Sequence, residues 1–220
     1  MPHILCGQTA PSTVIPSASE IQEILKARID QYRWNVGIVV GVIEPGRRSI
    51  VTWGRRSKTD SRPIDGDTVF EIGSITKAFT SLLLADAVHR GEIHLEDPVD
   101  KFLPDGIETP KRGNRVMTLH DLSTHFSGLP RVPGNLPSQD EDNPYKGYST
   151  DLLYKFLSGY KLPRDVGSQF EYSNLATGLL GQVLARDADT DFETLLKTRL
   201  TEPLGMNDTT ISVWPELASR

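Results

Sequence analysis

Ser74-Ile75-Thr76-Lys77 places a hydroxyl and an amine three positions apart, at what the following residues mark as the opening turn of an apolar helix. Side chains at i and i+3 share one helix face, so Lys77 can reach the Ser74 hydroxyl and help take its proton, which would make Ser74 a nucleophile. Read alone, Ser74 fits a helix N-cap as well as a nucleophile. From Ser74 onward, Ile75, Ala78, Phe79, Leu82 and Leu83 recur at i, i+3, i+4, and Gly91 stands where a helix C-terminus would fall. The spacing predicts a core-facing helix with Ser74 at its N-terminal end. Unpaired backbone N–H groups and the positive end of the helix dipole favour developing negative charge there, and the Ser74 N–H is a candidate oxyanion donor.

Elements before this helix must hold it in place. Ser17 followed by Glu20 is a capping-box pattern, and Ile21, Ile24, Leu25 and Ile29 follow at helical spacing, which predicts a helix over Ser19–Arg33. Two β-branched runs, Val36 to Ile43 and Ser49 to Trp53, flank Glu44-Pro45-Gly46 and read as a hairpin. The first run is apolar on both faces, as in a central strand covered by helices. Arg55 to Gly66 is charged and turn-rich, a surface loop leading towards Ser74. The acidic, Pro-rich stretch Pro130 to Tyr148 reads as a solvated loop at the mouth of a site, where selectivity would reside.

Composition narrows the function classes. The chain has 220 residues, 37% of them hydrophobic, which suits a globular domain with a sizeable core. Its longest apolar runs fall far short of the roughly 20 residues a membrane-crossing helix needs. A formal net charge of -5, with basic clusters no larger than Arg47-Arg48 and Arg55-Arg56, leaves no footprint for nucleic acid. The single Cys6 excludes an intrachain disulfide. Met1–Pro16 lacks the basic start and apolar stretch of a secretory signal and reads as a flexible arm. A cytoplasmic location follows, or a periplasmic or secreted one if a signal has been removed. His120 and His125 are five apart with no HExxH arrangement, and no Gly-x-Ser-x-Gly elbow or phosphate loop occurs, so neither a metal nor a cofactor is expected.

Phe70-Glu71-Ile72-Gly73-Ser74-Ile75-Thr76-Lys77 closely resembles the nucleophile segment of serine hydrolases with the β-lactamase/penicillin-binding-protein fold, specifically the class C β-lactamases and the related D-alanyl-D-alanine peptidases and esterases. Three further segments resemble that family in the same order. They are Leu122-Ser123-Thr124-His125-Phe126-Ser127-Gly128-Leu129-Pro130, Gly167-Ser168-Gln169-Phe170-Glu171-Tyr172-Ser173-Asn174 with its Tyr-x-Asn, and Glu202-Pro203-Leu204-Gly205-Met206-Asn207-Asp208-Thr209. The resemblance implies that Ser74 is acylated. It makes Tyr172 the general base, as phenolate or in concert with Lys77, and then the donor of a proton to the leaving group. A phenol with an ordinary pKa near 10 does this only beside a cation, which Lys77 supplies. Asn174 would hydrogen-bond a substrate amide or hold Lys77, provided the chain between Tyr172 and Asn174 is extended. In isolation Tyr172 would read as a packing residue. His125 would hold its loop through hydrogen bonds.

The resemblance further implies an α+β fold, an antiparallel sheet flanked by helices plus a mostly helical region. Residues 17–220 would form a single, incomplete domain. In it 17–80 carry the helix, the hairpin and the nucleophile helix, 81–190 the mostly helical region and 191–220 the start of a return segment. The family's third motif, a Lys-Thr-Gly or His-x-Gly-like strand, is not found: Lys197-Thr198 is followed by Arg199 in a helical pattern, and His89-Arg90-Gly91 ends the nucleophile helix. The expectation is therefore the N-terminal portion of a longer protein, or a shortened relative that completes its sheet as a homo-oligomer or does not catalyse. The expected function is hydrolysis of an amide or ester, a small molecule or peptidoglycan-like, through an acyl-serine. The alternative is a non-catalytic fragment or penicillin-recognising pseudoenzyme.

Overall fold

The computed structural model describes residues 15–220, so Cys6 and most of the expected N-terminal arm lie outside the described residues. The architecture is α+β, and the chain divides into two compact units: residues up to Phe70 together with Pro215–Arg220, and Glu71–Trp214.

In the first unit, Ser17 closes the capping box read from the sequence. Its Oγ accepts from the Glu20 N–H at 3.3 Å, and its own N–H donates to Glu20 Oε2 at 2.8 Å. Helix α1 covers Ala18–Lys26 and widens into a π-helical turn over Ala27–Gln31, so the predicted element ends two residues early and in irregular form. Strands β1 (Gly37–Glu44) and β2 (Arg47–Gly54) pair antiparallel, with Val40 opposite Val51 and Glu44 opposite Arg47. Only Pro45-Gly46 lies between them: proline presets the first corner and Gly46, at φ 73°, takes the second. Ile21 and Leu25 of α1 bury against Val51, with Ile38, Val40, Val42 and Trp53 around them, all on one face of the hairpin. The Trp53 indole N–H reaches Asp30 at 3.0 Å. The opposite face differs from the sequence expectation of a strand covered on both sides. Among the described residues the sheet has two strands, and Ile43 and Ile50 are 80% and 58% exposed. Within this unit no described helix packs on that face, so Ile43 and Ile50 stay exposed. Helix α7 (Pro215–Ala218) buries Leu217, and the Arg56 and Arg62 guanidinium groups donate to the Ser219 carbonyl behind it.

The second unit is built around α5 (Asn174–Asp187). Leu175, Ala176, Leu179, Leu180, Val183, Leu184 and Ala185 are all buried along it. Helices α2 (Thr76–His89), α3 (Leu119–Ser123) and α6 (Phe192–Leu196) pack against it, and α4 (Thr150–Gly159) adds Leu153 and Leu157 to the same core. Gly181 allows α6 a close approach to α5: a Cβ there would stand 3.1 Å from the Phe192 ring. Helix α2 ends as expected, since Gly91 at φ 71° lets its N–H reach Val88 and the Glu92 N–H reach Ala87. Its buried face coincides only in part with the one the spacing suggested: Leu83 is buried and Phe79 packs on the core as expected. Thr80, Leu83, Leu84 and Ala87 are buried, whereas Ile75 and Leu82 are 61% and 51% exposed. The helix is apolar nearly all round, so periodicity alone does not select a side.

Candidate active site

Ser74 sits in a 3-10 turn, Gly73–Ile75, that leads directly into α2. Gly73 takes φ 52°, and Lys77 follows one turn later on the same face. The Lys77 ammonium donates to Ser74 Oγ at 3.4 Å and to Asn174 Oδ1 at 2.8 Å. The first distance is at the weak end for a hydrogen bond and the second is ordinary, so Asn174 is the firmer anchor of Lys77.

Tyr172 and Asn174 come from the start of α5. The residue between them, Ser173, is fully buried and caps the helix: its Oγ accepts from the Ala176 N–H at 2.9 Å and donates to the Pro130 carbonyl at 2.6 Å. Its backbone is extended, at φ -132° and ψ 117°, so the two flanking side chains leave the chain on the same side. The Tyr172 hydroxyl thereby stands 2.6 Å from Ser74 Oγ, as donor, and the Lys77 ammonium lies 4.6 Å from the Tyr172 ring centroid. All four residues singled out in the sequence thus meet at one place.

Electrostatics favour an ionisable phenol. Hydrogen bonding with Lys77, and then with Ser74, holds the Tyr172 hydroxyl below the ordinary tyrosine value. Burial opposes this, and the charges of Lys77 and Arg131 reinforce it. Tyr148, by contrast, is pushed up by burial. His125, in the left-handed region at φ 64°, packs its ring 4.8 Å from that of Tyr172, and its Nδ1 accepts from the Ser173 N–H at 3.2 Å. Burial, and then the Lys77 charge, hold the imidazole pKa down, which keeps the ring neutral and able to accept that bond. Its carbonyl takes the Glu171 N–H at 2.8 Å, so His125 ties the turn after α3 to the segment carrying Tyr172.

The loop over residues 130–148 reaches the site at two residues that sequence reasoning missed. Tyr145 Oη accepts from Asn174 Nδ2 at 2.9 Å, and the Arg131 guanidinium lies 5.2 Å from the Tyr172 ring centroid. The only sequence signal was the loop's placement before the Tyr-x-Asn segment. Two cavities meet at Asn174, Gly178 and Gln182. One of about 320 Å³ also touches Lys77, and one of about 210 Å³ lies under Tyr145 and Tyr148. Among the described residues no three His, Cys, Asp or Glu side chains converge as metal ligands, and no helix is long and apolar enough to cross a membrane.

The family model described as Beta-lactamase matches residues 25–220. A β-lactamase of Escherichia coli (strain K12) is 35% identical over 81% of this chain and 44% of its own length. The D-alanyl-D-alanine-carboxypeptidase/endopeptidase AmpH of the same organism is 31% identical over 99% of this chain and 58% of its own. Among solved structures, a β-lactamase/D-alanine carboxypeptidase from Yersinia pestis in complex with citrate superposes with a TM-score of 0.82 at 28% identity, covering 92% of this chain and 57% of that one. A class C β-lactamase from Rhodobacter sphaeroides gives 0.72 at 32% identity, covering 92% and 52%. The chain spans about half the length of the relatives it matches.

Proposed function

Because the chain belongs to the beta-lactamase family, we propose that it carries the acylation machinery of a serine hydrolase that opens an amide or ester through an acyl-serine intermediate. One observation carries the reading: the Ser74 hydroxyl stands 2.6 Å from a phenol whose ionisation an adjacent ammonium favours. Tyr172 as phenolate takes the Ser74 proton while Ser74 Oγ attacks the carbonyl carbon. The same proton then passes from Tyr172 to the leaving nitrogen or oxygen as its bond to that carbon breaks. Water later attacks the acyl-serine, giving up a proton to Tyr172, which passes it to Ser74 Oγ as the acyl bond breaks; the acid is released and Tyr172 is again a phenolate. Lys77 stabilises the phenolate, and Asn174 fixes Lys77 through its Oδ1. The start of α2 favours the negative charge that develops on the carbonyl oxygen. Its likeness to a β-lactamase and to D-alanine carboxypeptidases supports β-lactams and D-alanyl peptides as the substrate class.

Intact-mass spectrometry after incubation with a fluorescent penicillin, and separately with p-nitrophenyl butyrate, tests this. An adduct mapped to Ser74 and absent from Ser74→Ala supports the reading. A folded chain that forms no adduct with either reagent supports instead a non-catalytic fragment or penicillin-recognising pseudoenzyme.

A further inference from the structure

Two cations lie against the Tyr172 ring. Lys77 is engaged with Asn174 and Ser74 as well, whereas among the described residues the Arg131 side chain has no carboxylate partner, and its contact is the ring itself, at 5.2 Å. The backbone holds Arg131 in place. Its carbonyl accepts from the Asn174 N–H at 2.9 Å and the Leu175 N–H at 3.4 Å, and the carbonyl before it accepts from Ser173 Oγ. The residue that presents the guanidinium is thus pinned to the same helix start that presents the phenol. The other groups facing Tyr172 do not cancel this charge: His125 is neutral, Ser74 is the hydroxyl partner, and the neighbouring Glu171 pairs with Arg164.

We propose that Arg131 is a positioning residue of this hydrolytic site, a second and permanent cation that acts through the Tyr172 ring to hold Tyr172 ready to accept the Ser74 proton. The proposal rests on the reading of Tyr172 as general base. An arginine suits the task because its planar guanidinium packs on aromatic faces and stays charged at every working pH, so its effect persists whatever proton Lys77 holds. The lowered pKa of Tyr172, to which Arg131 contributes after Lys77 and Ser74, agrees with the geometry.

Two readouts on the full chain test the proposal. Ultraviolet difference titration against Tyr172→Phe isolates the ionisation of Tyr172 from that of the other five of the six tyrosines. The pH profile of Ser74 acylation by a fluorescent penicillin reports the same group in action. In Arg131→Gln both should move to higher pH, with the rate on the rising limb down about three- to tenfold, the Coulomb weight of one charge near the ring in a largely aqueous setting. The plateau at high pH should be unchanged, and Arg131→Lys should recover most of the loss. An unmoved ionisation step, a loss equal at all pH values, or a lysine variant that behaves like glutamine overturns the proposal. Absence of any wild-type Ser74 adduct would sink the hydrolase reading instead, and the titration would still decide the effect of Arg131 on Tyr172.

Discussion

If Lys77 acts mainly through Tyr172, removing both side chains costs little more than removing one. Tyr172→Phe deletes the Oη that stands 2.6 Å from Ser74 Oγ and keeps the ring against His125. Loss of a general base costs about 10²- to 10⁴-fold in acylation rate, or roughly 3–5 kcal/mol of barrier. Lys77→Ala removes a charge 4.6 Å from the ring. Coulomb's law gives about 1 kcal/mol for that charge in water and about 4 at an effective dielectric near 20, and the half-exposed site favours the lower part of that range. Loss of the Asn174 anchor adds about 1 kcal/mol. The double variant should therefore acylate within about tenfold of Tyr172→Phe alone, a coupling of some 1–3 kcal/mol. The assay is the time course of the Ser74 adduct by intact mass at saturating penicillin, with circular dichroism to confirm equal folding. Additive losses, or a Tyr172→Phe variant slowed less than tenfold, would refute the assignment of Tyr172 as the proton acceptor that Lys77 serves.

Three further outcomes follow from the same contacts. Ser173→Ala should lower unfolding free energy by about 1–3 kcal/mol in urea, because it removes a helix cap and leaves the half-buried Pro130 carbonyl unpaired, and it should slow acylation too, unlike the exposed Ser74→Ala, which should leave stability nearly unchanged. Tyr145→Phe frees Asn174 Nδ2 and should reduce acylation only about three- to tenfold, with unchanged adduct position, since Lys77 still bonds Oδ1; a loss beyond a hundredfold would give Tyr145 a direct chemical part. Glu193 is held well below the usual carboxylate range, first by the Ser212 hydroxyl and then by Thr210, with Lys197 adding to both. A carboxyl depressed in the folded state stabilises above its unfolded value and loses that contribution as pH falls, so the melting temperature should drop more steeply below pH about 4.5 in the wild type than in Glu193→Gln; parallel acid limbs would contradict this.

Local chemistry was legible in the sequence. The Ser17 capping box, the Pro45-Gly46 corner and the Gly91 stop each depend on residues within a few positions of one another, and each appears as read. The two-residue spacing of Tyr172 and Asn174 was legible for the same reason, because an extended Ser173 alone puts both side chains on one side. The buried face of α2 was legible only in part, at Phe79 and Leu83, since a helix apolar on nearly every side takes its orientation from its neighbours. Arg131 and Tyr145 were out of reach. They meet the site through a loop whose path is set by hydrogen bonds to α5 and by Asn135, which ties the loop to α4 through the Leu152 carbonyl, and no periodicity records those contacts.

The site's economy lies in the N-terminus of α5. Ser173 satisfies the helix start, fixes the 130–148 loop through Pro130 and, through its N–H, orients His125 against Tyr172. The neighbours of this one buried hydroxyl on either side are the two groups that meet Ser74 and Lys77. Packing of α2 on α5 thus aligns two helix beginnings, one supplying the nucleophile and the cation, the other the proton acceptor and the amide that steadies the cation. Neither pair could do the chemistry alone. A serine beside an amine 3.4 Å away lacks a close proton acceptor, and a phenol without a cation keeps its proton at neutral pH. The buried contacts between α2 and α5 are therefore as necessary to the proposed acylation as the four polar side chains, and a cavity opened there by Leu184→Ala, beside Leu83 and Ala87, should cost about 2–5 kcal/mol of stability and loosen the 2.6 Å contact on which proton transfer depends.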